Sequence, residues 1–153
     1  MPKPTKLQSL ALKLERDLCK KAMKDATLKK KGPKKIDWFF EVSLVSSDEI
    51  QDINRDFLKH NYPTDVLSFP SNDTFLAMGH LGEVIIALPV LKAQAKAQGH
   101  TPEKELQVLM THGLLHLLGF DHEKGPKYAK EMLALEKKLL GPRMAGLISR
   151  VNE

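Results

Sequence analysis

His112, His116 and His122, with Gly119 between the last two, constrain this chain more than any other feature it has. A four-residue separation on a helix turns two side chains about 40° apart on one face, close enough for two imidazoles to reach one ion. Leu106, Leu109, Met110, Leu114, Leu115, Leu117 and Leu118 surround the pair. Such a helix has little polar surface after its first turn, so its C-terminal half is expected to be buried on nearly all sides. At Gly119 the helix can end in the left-handed conformation, letting the chain reverse and return His122 toward the pair. Three neutral imidazoles leave one position of a tetrahedral zinc ion open, as in catalytic rather than closed structural sites. The expectation is a single Zn2+ held by His112, His116 and His122.

The remaining pattern places this helix in an α+β domain. Leu7, Leu10, Ala11, Leu14 and Leu18 recur at helical spacing and predict a first helix, ending in the Lys-rich turn before Gly32 and Pro33. Alternating aromatic and aliphatic residues predict a strand over 36–45, and Ser47 with Asp48 and Glu49 predicts the capped start of a helix reaching about Leu58. A turn at 61–63, strands over 65–69 and 81–88, and an irregular loop over 70–79 follow. Helices are then expected over 89–98, from the Thr101 cap onward, and from Pro126 to the Gly141-Pro142 stop, the last with Tyr128, Met132, Leu135 and Leu139 as its buried stripe. The expected fold is one domain over 1–153: a small mixed, mostly parallel sheet surrounded by helices, with a central buried helix carrying metal ligands. His60, His80 and His100 lack partner spacing and read as ordinary exposed histidines.

Cys19 is the sole cysteine, so no internal disulfide can form, and the cytoplasm is the expected compartment. No segment approaches the roughly 18 uninterrupted apolar residues of a membrane span. Residues 1–35 hold twelve Lys and Arg against three acids, while the remainder holds twelve against sixteen. A basic N-terminal helix and turn of this kind attracts polyanions such as RNA, and is equally explained as a solvated helix face. Asp121 either orients a ligand imidazole or solvates the turn.

The same spacing occurs in metzincin peptidases, but there the residue after the first histidine is the glutamate that activates the zinc water, and here it is Gly113. The whole run from His112 through Gly113, His116, Gly119, Phe120 and Asp121 to His122 resembles the signature of the YbeY family of bacterial rRNA maturation endoribonucleases. Residues 63–70, from Pro63 through Asp65 and Ser68 to Pro70, resemble that family's second signature, and residues 80–86 resemble its Leu-Gly-Asp-Ile strand. The resemblance covers about 54–140. It implies a zinc-dependent, single-strand-directed endoribonuclease of rRNA maturation, acting on or near the small ribosomal subunit, with neither DNA nor membrane as partner.

Three departures accompany the resemblance. The family's active-site arginine falls on Leu58, with Arg55 and Lys59 flanking as substitute phosphate ligands, its strand aspartate is replaced by Glu83, and a helix opens the chain where the family commonly starts with a strand. Glu83 and Asp121 are the candidate proton-handling carboxylates, and Thr64 and Ser68 are candidate hydroxyl contacts to RNA. A noncatalytic zinc-containing ribosome-assembly factor is the alternative, and a metallopeptidase the weaker one.

Overall fold

A computed structural model describes residues 3–59 and 64–144. The elements run α1 (Lys6–Lys24), a 3-10 turn (Leu28–Lys30), β1 (Phe39–Val45), α2 (Ser47–Leu58), β2 (Val66–Pro70), α3 (Asp73–Ala77), β3 (His80–Ala87), α4 (Leu88–Gln98), α5 (Pro102–Leu117), a second 3-10 turn (His122–Lys124) and α6 (Pro126–Leu140). The strands form one sheet in the order β1-β3-β2, with β1 parallel and β2 antiparallel to β3. The expected α+β class with a small mixed sheet is what the chain adopts.

Local chemistry sets the helix starts. At the head of α1, Thr5 and Gln8 exchange side-chain to backbone bonds in a capping box. Ser46, not the expected Ser47, caps α2, because only from Ser46 does Glu49 fall three residues on and complete the reciprocal pair. The segment over 70–79 is not wholly irregular, since the Asn72 side chain accepts from the Phe75 amide at 3.0 Å and starts the short α3. β1 begins at Phe39 instead of residue 36. The Trp38 indole donates to the Pro33 carbonyl at 2.8 Å, holding the preceding residues in a turn. The turn expected over 61–63, like His60, lies outside the described residues.

β3 is nearly continuously apolar because both its faces are covered. Leu81, Val84 and Ile86 join the main core with α1, α5 and α6, while Ile85 and Ala87 join Ile50, Ile53 and Leu67 beneath α2. α5 runs through the centre, with Leu106, Leu109, Met110, Leu114 and Leu115 fully enclosed. Each such side chain contributes about 1.5–3 kcal/mol through burial. The α6 stripe is Met132, Leu135 and Leu139 as expected, but Tyr128 is 50% exposed, since it lies in the first turn beyond the edge of the core.

Two histidines depart from expectation. His100 is buried against Glu105 at 2.8 Å. His80 opens β3, half-buried, with its Nδ1 2.6 Å from Ser71 Oγ and its ring against Phe39 and Phe75. α1 packs along the outer side of β1, where the Glu15 carboxylate accepts from the Phe40 amide at 3.3 Å.

Candidate metal centre

His112 and His116 stand one turn apart near the C-terminal end of α5. The helix stops in a two-bond left-handed cap: Gly119 has φ +98°, its amide donates to the His116 carbonyl, and the Phe120 amide donates to the Leu115 carbonyl, both at 3.0 Å. Phe120 is buried and anchors the reversal. Asp121 then caps the second 3-10 turn, its Oδ1 accepting from the Glu123 amide at 2.9 Å. His122 is the first residue of that turn.

The reversal brings the three rings together, with centroids 4.6 Å apart for His112 and His116, 5.2 Å for His112 and His122, and 5.5 Å for His116 and His122. One ligand nitrogen from each lies within 4.8 Å of the others. The Nε2 atoms of His112 and His116 are 3.1 Å apart, close to the edge of about 3.3 Å expected for a tetrahedron whose zinc–nitrogen bonds are about 2.0–2.1 Å. His122 Nδ1 is buried without a hydrogen-bond partner. The donor set therefore fits a divalent cation that accepts imidazole nitrogen.

Electrostatics prepare the donors. Burial, and then the neighbouring His112 and His122, push His116 down to about 4, so its ring is neutral and its lone pair available. Asp121 acts in the opposite direction on the same ring. His112 is fixed by a residue the sequence reading missed: buried Glu136 on α6 lies 3.0 Å from its Nδ1. The imidazole N–H donates to the carboxylate, leaving Nε2 to face the other histidines. The available signal was Glu136 one turn beyond Met132, a charge inside an otherwise apolar stripe.

Gly113 is required by close packing. A Cβ there would stand 2.7 and 2.9 Å from the Val84 methyls and 3.3 Å from Ser68 Oγ. Ser68 instead donates to the Gly113 carbonyl at 3.3 Å, joining β2 to α5. The Thr64 hydroxyl donates to Asp65 at 3.5 Å.

The remaining candidates lie elsewhere. Val84 faces α5, so alternation along β3 turns Glu83 to the opposite face, paired with Phe69. Phe69 in turn meets Phe57 of α2. Lys59 caps the C-terminus of α2 in the left-handed conformation, its amide donating to Arg55 and Asn54 carbonyls. Leu58 is 42% exposed, and the Arg55 guanidinium is paired with Asp52 at 3.2 Å and Asp56 at 3.1 Å. Of the carboxylates singled out in the sequence, Asp121 alone shares the turn that carries His122.

A family model described as Endoribonuclease YbeY matches residues 5–142. The chain is 49% identical over 107 residues to an Endoribonuclease YbeY of Myxococcus xanthus, a match covering 67% of this chain and 35% of that protein. It is 39% identical over 129 residues to an Endoribonuclease YbeY of a Sulfurihydrogenibium species, covering 81% and 83%. The chain thus spans about a third of the Myxococcus protein and most of the Sulfurihydrogenibium one. A solution structure of a Thermotoga maritima protein superposes with a TM-score of 0.60 at 32% identity, covering 97% of this chain and 89% of that one.

Proposed function

Because this chain belongs to the YbeY endoribonuclease family, we propose that it is a zinc-dependent hydrolase that cleaves single-stranded RNA in rRNA maturation, on or near the small ribosomal subunit in the cytoplasm. The observation that carries this reading is the donor set. Among the described residues the group has three members, His112, His116 and His122, and a tetrahedral ion held by three donors keeps one position for water or substrate. When bound there, zinc supplies Lewis acidity and a water of lowered pKa.

The protein's own side chains divide the remaining work. Glu136 orients His112 through its 3.0 Å bond, and the cap at Gly119 sets where His122 stands. Asp121, on the same turn, is the carboxylate we assign to moving a proton, ahead of Glu83 on the opposite face of β3, while Lys59 remains a substitute phosphate ligand. The wall at Gly113 disfavours a peptidase, since the Val84 methyls fill the space where a glutamate in place of Gly113 would begin. The assembly-factor reading requires a fourth protein donor that closes the site. No helix among the described residues is long and apolar enough to cross a membrane.

The deciding experiment is cleavage of single-stranded and structured rRNA fragments by zinc-loaded protein, beside His116→Ala and a chelated sample. Cleavage lost in both controls is the expected result. A metal-replete protein that binds small subunits and cuts none of the fragments would overturn the hydrolase reading in favour of the assembly factor.

A further inference from the structure

The segment Lys29-Lys30-Lys31-Gly32-Pro33-Lys34-Lys35 packs five lysines into seven residues, all five exposed. The acids nearest in sequence are Asp25 and Asp37. Asp25 is engaged: it lies 2.5 Å from Lys138 Nζ and accepts from the Thr27 and Leu28 amides at 2.9 and 3.0 Å.

A solvated lysine run in an open loop would spread its charges. This one is held folded. Leu28 is fully buried, the Lys29 amide donates to the Asp25 carbonyl at 2.9 Å, and Lys31 closes onto Leu28 at 2.9 Å. Gly32 lies so close to Trp38 that a Cβ would meet the indole at 2.4 Å, and that indole donates to Pro33. Holding like charges together is unfavourable, and a polyanion offsets that cost. One of the held charges is tied to the segment that leads to the histidine cluster: Lys31 Nζ sits 5.5 Å from the centroid of Phe120, which lies two residues before His122.

We infer that Lys29, Lys30, Lys31 and Lys34 form a phosphate-binding rim that positions single-stranded RNA beside the metal centre. The rim deepens the proposed function and rests on it for the identity of the polyanion. The turn that carries His122 holds both signs of charge, Asp121 and Glu123 beside Lys124, so the lysine segment is the more strongly positive of the two.

The test is the salt dependence of binding, by fluorescence anisotropy, between the zinc-loaded full chain and a cleavage-resistant RNA of about 20 nucleotides. The triple variant Lys29→Gln, Lys30→Gln, Lys34→Gln is expected to flatten the slope of log K against log salt by about 2, at about 0.7 per lost single-strand phosphate contact, and to weaken binding at least about tenfold near 0.15 M salt. The corresponding triple Arg variant restores both, and zinc content and Tm stay at wild-type values. Binding without cleavage by the wild-type chain would sink the hydrolase reading and leave the rim standing, provided the slope changes. Unchanged slope and KM in a variant of an active enzyme overturn the rim alone. Affinity lost for phosphatidylserine vesicles but not for RNA overturns it too, making the surface a lipid contact.

Discussion

Glu136 on α6 reaches 3.0 Å from Nδ1 of His112 on α5, so an imidazole of the histidine cluster takes its tautomer from a carboxylate twenty-four residues away. Both side chains are buried. Replacing Glu136 by Gln keeps shape and removes the charge that favours the donated N–H. Zinc affinity of Glu136→Gln, measured by competition with a chelator, is expected to fall about 10- to 100-fold. Unchanged affinity would show that His112 holds its orientation by packing alone.

Metal removal should be visible in stability before it is assayed in activity. At free zinc about a thousandfold above Kd, binding to the folded chain stabilises it by about 4 kcal/mol, which for a chain of this size shifts Tm by about 10 °C. Chelation is expected to lower Tm by that order, and His116→Ala to show no response to zinc. The metal-free protein also carries a pH signature. An imidazole held below its ordinary 6.5 binds fewer protons folded than unfolded, so stability declines as pH falls from 6.5 toward about 4 and takes no further loss from this group below that. Denaturant titrations of the chelated protein at pH 7 and 5 check the direction.

Asp25 supplies a second pH dependence, through an ion pair between the end of α1 and α6. Its bond to Lys138, with the Thr27 and Leu28 amides helping against burial, holds its carboxyl below the ordinary 3.8. A carboxyl lowered in the folded state contributes stability that is present above its unfolded value and lost as pH falls through the folded one. Asp25→Asn keeps an oxygen for the amides and loses the ion pair, so it should cost about 1–3 kcal/mol at pH 7. The difference from wild type should shrink below pH 4. A constant difference down to pH 2 would contradict the ion-pair account.

Gly113→Ala sets two effects against each other. Alanine is the better helix former by about 1 kcal/mol, yet its methyl would stand 2.7 Å from a methyl of Val84, a stiff and fully buried neighbour. Overpacking of this kind costs about 1–3 kcal/mol. The net expectation is destabilisation by about 1 kcal/mol in equilibrium unfolding, and a stabilised variant would show that β3 and α5 can separate.

Much of the centre was legible because it is local. Two histidines one helical turn apart, a glycine that reverses the chain and a third histidine three residues on need no knowledge of the rest of the fold. The element order was legible for the same reason, through caps at Thr101 and Gly99 and the apolar periodicity of α5. What the sequence did not disclose depends on distant contacts. Glu136 meets His112 only once α6 folds back, and His100 is buried only because Glu105 is there to receive it. The face on which Glu83 lies was equally hidden, because β3 is apolar on both sides and its pattern has no polar face to read.

Glu15, bonded to the Phe40 amide, has a consequence for self-association. β1 is an outer strand of a three-stranded sheet, and an outer strand with free amides is a template for another chain. Here a carboxylate already fills one of those positions, and Gln8, Leu12 and Glu15 of α1 line the groove along the strand. An incoming strand would have to displace that carboxylate and push into the groove that α1 overhangs. The N-terminal helix thus acts as a guard against fibrous stacking of this protein at high concentration.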